Sequence, residues 1–155
     1  SSITIGKFLD LSNKEIQEGL NKFLNDSNRS EILIFDSNKI FLDAYNANPT
    51  SMLAAISNFE NININNRVLI LGDMFELGEY SDQEHQKIVD FVTNKDYSKI
   101  YLVGDNFSKC NTDGEYFFKF SNTNELAKSD SFKSLKNMNI LVKGSRGVSL
   151  EKLFK

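Results

Sequence analysis

The 155-residue sequence has no tryptophan, one cysteine, one proline and one histidine. A lone Cys110 cannot close an internal disulfide and excludes a multi-cysteine zinc site. A lone His85 leaves no metal-ligand spacing. No Gly-x-Ser-x-Gly elbow accompanies it, so a Ser-His-Asp hydrolase is not expected. Neither Gly-x-x-x-x-Gly-Lys-Ser/Thr nor Gly-x-Gly-x-x-Gly occurs. The chain therefore lacks both usual ways of cradling a nucleotide phosphate on its own. No run approaches about 20 apolar residues, the length a membrane span needs. A basic surplus is missing too: 18 Lys and Arg stand against 21 Asp and Glu, for a net charge of −3. Duplex nucleic acid and anionic membrane surfaces are poor partners for that balance. The opening Ser-Ser-Ile-Thr-Ile-Gly has neither a basic region nor a long apolar core, so it does not read as a secretory leader. With the single cysteine, this gives a cytoplasmic expectation. It also has no initiating Met, and the chain reads as a piece of something longer.

What is present is ordinary globular material, 40% hydrophobic and 25% charged. Residues 3–24 read as helical, with capping-box spacing at Ser12 and Glu15 ahead of Ile16, Leu20, Phe23 and Leu24. A polar break follows at 25–28. Residues 31–35 and 40–43 form two short apolar runs around the turn chemistry of Asp36-Ser37-Asn38-Lys39, a hairpin or an antiparallel strand feeding a central one. Pro49 suits the first turn of a helix whose face is Met52, Leu53, Ile56 and Phe59. The run 68–73 reads as a strand buried on both faces. Ser81 and Glu84 have capping-box spacing before a helix faced by Ile88, Val89 and Val92. Strands are expected at 99–105, 116–120 and 139–144, a broken helix at 123–136 and a last helix from Ser149 to Phe154. Strands alternating with helices predict an α/β class: a Rossmann-like three-layer domain with a mostly parallel sheet and one antiparallel strand.

Ligands of such sheets sit at the C-terminal ends of the strands. Four strands here end in polar tips: Asp43, Gly72-Asp73, Gly104-Asp105, which repeats the strand–Gly–Asp pattern, and Lys143-Gly144-Ser145-Arg146. Asp43-Ala44-Tyr45-Asn46-Ala47-Asn48-Pro49 offers a carboxylate suited to paired ribose hydroxyls and two amides that donate and accept. Its plainer reading is a solvated strand end with Asn48 capping the helix. Lys143-Gly144-Ser145-Arg146 sets two cations around a glycine turn, an anion site by type or simply a solvated basic turn. Gly72-Asp73-Met74-Phe75-Glu76-Leu77-Gly78, with His85 beyond, is acidic. A lone helical histidine is more often on the surface or a satisfied hydrogen-bond partner.

Together and in this order, three strings resemble the C-terminal domain of the Mur ligases. They are Asp-Ala-Tyr-Asn-Ala-Asn-Pro-x-Ser-Met at 43–52, Leu-Gly-Asp-Met-x-Glu-Leu-Gly at 71–78 with His85 downstream, and Leu-Val-Lys-Gly-Ser-Arg at 141–146. The resemblance points to the branch that adds D-alanyl-D-alanine to UDP-N-acetylmuramoyl-tripeptide in peptidoglycan synthesis. It implies that residues 1–30 are the tail of a central ATPase domain and its junction, and that 31–155 are the Rossmann-like C-terminal domain. It implies ATP and Mg²⁺ in the full enzyme, and an acyl phosphate made from the tripeptide carboxylate and then attacked by the dipeptide amine. It implies that Arg29, Asp43, Asn46 and Asn48 serve the nucleotide and that Lys143, Ser145 and Arg146 serve the dipeptide. Asp73, Glu76 and His85 match without an assigned role. With no P-loop in this piece, no tightly bound cofactor and no independent ligation are expected.

Two alternatives stay open at this point. One is a Mur-superfamily amide ligase with a different acceptor. The other is a free-standing α/β binding module without catalysis. A ligase domain requires Asp43, Asn46, Asn48, Lys143 and Arg146 on one edge of the sheet, whereas an interaction module does not. An Asp43→Ala change is expected to leave the domain folded, since a strand-tip acid contributes little to a core.

Overall fold

The computed structural model describes residues 31–155. The expected helix at 3–24, its Ser12/Glu15 box, the 25–28 break and Arg29 lie outside the described residues. Strand β1 (Glu31–Phe35) turns through Asp36 and Ser37 into β2 (Asn38–Asp43), pairing antiparallel with Glu31 opposite Leu42 and Phe35 opposite Asn38. Asp36 takes the left-handed backbone conformation that such tight turns demand and that Asp tolerates. Helix α1 (Pro49–Glu60) follows, with Pro49 in the first turn where its missing N–H costs nothing. Then come β3 (Arg67–Gly72), α2 (Ser81–Val92), β4 (Lys99–Val103), α3 (Asp105–Lys109) and β5 (Phe117–Phe120). The broken helix is α4 (Thr123–Lys128) and α5 (Asp130–Lys133), and β6 (Asn139–Lys143) returns to the centre.

The sheet order is β1-β2-β6-β3-β4-β5, with every pair parallel except β1–β2. The unbroken hydrophobicity of β3, β4 and β6 has its cause in two separate cores. On one face Met52, Ile56 and Phe59 of α1 and Ile88, Val89 and Val92 of α2 pack on Leu69, Leu71, Ile100 and Leu102. On the other, Leu126, Leu135, Leu150 and Leu153 pack on Ile40, Leu42, Val68, Ile70, Tyr101 and Val142. Successive strand residues point to opposite faces, so a strand covered on both sides must be apolar throughout. This is the three-layer architecture expected from the sequence. Among the described residues no helix is long and apolar enough to cross a membrane.

Two expectations are corrected. Ser81 and Glu84 do not form a capping box. A 3₁₀ turn (Gly78–Tyr80) runs straight into α2, and its carbonyls take the N–H groups that a cap would have served: Ser81 donates to Gly78. Ser81 and Glu84 are thereby inside the helix, and Glu84 pairs with Lys87 at 2.6 Å. The last helix is not α-helical but two 3₁₀ segments, Arg146–Val148 and Leu150–Phe154, split at Ser149 in the left-handed conformation.

Cys110 follows α3, is 5% exposed, and is pushed up to about 11 by burial. The thiolate is the reactive form. Native protein at pH 8 is therefore expected to react with a disulfide reagent at least tenfold more slowly than urea-unfolded protein, read by absorbance of the released thiol. Equal rates would mean that the thiol is not sealed.

Candidate functional site

The chain leaves β2, β3 and β4 toward the face carrying α1, α2 and α3, but leaves β6 toward the opposite face. Strand β6 lies between β2 and β3, so its outgoing loop diverges from both neighbours. A crevice at such a divergence is where open parallel sheets hold their ligands.

The β3 and β6 tips touch there. A Cβ at Gly144 would lie 2.9 Å from the Gly72 Cα, so neither tip has room for a side chain on that side. Asp43 sits in register with Lys143. Lys143 is 2% exposed, and its Nζ donates to Asp43 Oδ2 at 2.8 Å and to the Asn46 carbonyl at 3.0 Å. Its alkyl stem lies in the core and its charge is held at the rim. The Asp43 side chain is about one quarter exposed. The Asn46 side chain is exposed. Asn48 is the N-cap of α1: its Oδ1 accepts from the Ser51 N–H at 2.8 Å while Ser51 Oγ accepts from the Asn48 N–H. The plainer sequence reading of Asn48 is thus the local one, and this capping box was not foreseen.

Beyond Gly144 the loop ties the next strand tip. Ser145 donates its N–H to the Asp73 carbonyl at 3.1 Å, and its Oγ accepts from the Phe75 N–H at 3.1 Å. Arg146 is exposed, with its guanidinium 5.5 Å from the Tyr45 ring centre, a cation–π distance. So Asp43, Asn46, Lys143 and Arg146 do share one edge, with Asn48 at the first turn of α1 beside them.

Asp73 and His85 act inside the fold. Asp73 is 3% exposed. Its Oδ2 accepts from the Asn106 N–H at 2.9 Å and from Asn106 Nδ2 at 3.1 Å, and its Oδ1 accepts from the Phe107 N–H at 2.9 Å. A carboxylate set against the first turn of a helix satisfies donors that have no intrahelical partner. Gly104 makes this possible. Its φ is +128°, and a Cβ there would stand 2.3 Å from the Asp73 carboxyl carbon. His85 is fully buried; its Nε2 accepts from the Met74 N–H at 2.9 Å, and its Nδ1 donates to the Ser81 carbonyl at 2.7 Å. The two bonds assign the neutral tautomer with the proton on Nδ1. Glu76 is exposed, with a left-handed φ of 64°.

Two participants, Tyr45 and Phe75, have no role in the sequence reading, and Gly104 figures there only as a strand-tip glycine. Gly104 had a signal in the repeated strand–Gly–Asp pattern. Tyr45 lies within the 43–49 string, whose polar residues carry the sequence argument.

The match to the model of the Mur ligase, glutamate ligase domain runs over residues 28–146. The chain belongs to the Mur ligase family. It is 36% identical, over 144 residues, to the UDP-N-acetylmuramoyl-tripeptide–D-alanyl-D-alanine ligase of Buchnera aphidicola, covering 90% of this chain and 31% of that one. It is 33% identical to the ligase of the same name from Rickettsia prowazekii, covering 94% and 34%. The chain thus spans about a third of the length of the curated relatives it matches. MurF from Acinetobacter baumannii superposes with a TM-score of 0.71 at 27% identity, over 97% of this chain and 34% of that one. MurF from Thermotoga maritima, solved in complex with ADP, shares the fold with a TM-score of 0.67 at 18% identity. The Mur ligase resemblance read from the three strings is therefore established.

Proposed function

We propose that this chain is the nucleotide- and acceptor-facing third of an ATP-dependent ligase. That ligase joins D-alanyl-D-alanine to UDP-N-acetylmuramoyl-tripeptide in peptidoglycan synthesis. The observation that carries the reading is the single strand-tip edge shared by Asp43, Asn46, Lys143 and Arg146. Its support is a set of relatives that bear this ligase's name.

The roles follow from the chemistry of each group. Asp43, fixed through one oxygen by Lys143, offers the other to paired hydroxyls of a ribose. Asn46 presents an amide beside it. Asn48 orients this segment through the α1 cap, and Arg29 at the junction has the planar fork suited to phosphate oxygens. Arg146 offers a bidentate cation to the dipeptide carboxylate. Lys143 acts through Asp43, and Ser145 acts by holding the loop after β3. Among the described residues no group of three His, Cys, Asp or Glu side chains converges. Mg²⁺ would stabilise phosphoryl charge in such a reaction, and we assign its ligands to the central ATPase domain that carries the P-loop. The central ATPase domain of the same protein completes the site, and the setting is cytoplasmic.

The test is made on the whole enzyme. Arg146→Ala is expected to raise KM for D-alanyl-D-alanine roughly tenfold to a hundredfold, the loss of one charge-assisted contact, with the nucleotide KM little changed. The 155-residue chain alone is expected to turn nothing over and to show no ATP binding by calorimetry below millimolar concentrations. Tight ATP binding by the chain alone, or unaltered dipeptide dependence in the variant, overturns the assignment.

A further inference from the structure

Phe75 is an apolar ring left 45% exposed beside the polar tips of β3 and β6. Single exposed apolar residues are common and need no explanation. This one differs in how firmly it is placed. The Met74 N–H is held by buried His85 and the Phe75 N–H by the hydroxyl of Ser145, itself 5% exposed. The preceding residue, Asp73, is anchored by its carboxylate to α3 and by its carbonyl to Ser145. The ring then lies flush on Gly147, where a Cβ would come within 2.5 Å of the ring Cε2. Gly147 adjoins Arg146, whose guanidinium stands over Tyr45. Backbone hydrogen bonds on either side and a missing side chain beneath thus seat an exposed aromatic ring one residue from the exposed cation of the crevice.

A cation beside a fixed apolar wall suits a ligand with a carboxylate next to a small apolar side chain. We propose that Phe75 is a specificity-determining residue: its ring is the wall against which a methyl-bearing acceptor dipeptide packs while Arg146 takes the carboxylate. The inference rests on the ligase reading above and deepens it, by naming what selects a methylated acceptor over an unsubstituted one. Phe75 contacts substrate through its ring only and takes no part in proton or phosphoryl transfer. Gly147 serves as a positioning residue, because any larger residue there pushes the ring from its seat.

The experiment uses the full-length enzyme with saturating ATP and UDP-N-acetylmuramoyl-tripeptide. Initial rates are compared for D-alanyl-D-alanine and glycylglycine. A methyl in an apolar contact is worth about tenfold in kcat/KM. Phe75→Ala is expected to raise KM for D-alanyl-D-alanine about tenfold and leave glycylglycine kinetics nearly unchanged, so that the selectivity ratio collapses. Phe75→Leu should retain most of the ratio. Gly147→Ala, which leaves the ring but displaces it, should reproduce part of the loss. The thermal midpoint of Phe75→Ala should stay close to that of the parent, since the ring is half outside. An unchanged selectivity ratio in Phe75→Ala overturns the proposal, and so does a lowered thermal midpoint with both acceptors affected equally. If the parent enzyme ligates neither dipeptide, the ligase reading itself fails, which is distinct from active variants of unaltered selectivity.

Discussion

Replacing Asp43 by alanine is expected to lower the stability of the domain by about 3 kcal/mol, because it strands a buried ammonium. Lys143 is 2% exposed, and among the described residues its charge is held by Asp43 and one carbonyl. Removing one partner of such a pair costs more than removing both, since the survivor is left desolvated and unpaired. Lys143→Met should cost less, because the orphaned Asp43 carboxylate already reaches water. The double variant, Asp43→Ala with Lys143→Met, should recover most of the loss. Urea unfolding of the four proteins gives the coupling directly. Additive losses would mean that the 2.8 Å contact contributes nothing. The expectation that a strand-tip acid is dispensable to the fold is therefore set aside. Any activity lost in Asp43→Ala of a full enzyme must be separated from this instability, for which Asp43→Asn is the better variant.

Asp73→Ala is expected to cost about 3 kcal/mol as well, roughly a 10 °C fall in Tm for a domain of this size. Three donors lose their acceptor, and the Phe107 N–H among them is buried. Gly104→Ala should cost at least as much, from the carboxylate collision and from a φ of +128° that alanine rarely adopts. The two changes should not add. With the Asp73 carboxylate gone, the collision disappears and only the backbone strain remains. Calorimetric scans of both single variants and the double variant decide the point. Full additivity would show that Asp73 and Gly104 are not one unit.

The sheet was legible in the sequence because burial on both faces leaves a plain mark. Strands such as 68–71 and 140–142 are apolar at every position. The hairpin was legible because Asp36 and Ser37 interrupt two apolar runs. Helix starts were less so. Ser81 and Glu84 have the right spacing, but the pattern does not reveal that a 3₁₀ turn has already served the same N–H groups. At the site, the residue types in the three strings located the crevice. They did not separate groups that face outward from groups spent inside. Asp43 and Lys143 each read as free charges, and only the parallel register of β2 and β6 shows that they neutralise one another. His85 and Asp73 read as candidates for chemistry. All but one of the partners named for them are backbone N–H and C=O groups, which have no sequence signature.

The reversed direction of β1 has a mechanical consequence. Glu31 is paired with Leu42, one residue from Asp43, so the described part of the chain begins at the strand-tip edge itself. Had β1 run parallel to its neighbour, that starting point would fall at the far end of the sheet, about 17 Å away over five residues. The β6 tip is two strands across, about 10 Å at ordinary strand spacing. A body pivoting about Glu31 has a short lever arm to the crevice and a long one to everything behind it. A rotation about Glu31 would therefore swing the remote end widely and displace Asp43 and Arg146 less, so a small angular error there would become only a small positional error at the strand tips.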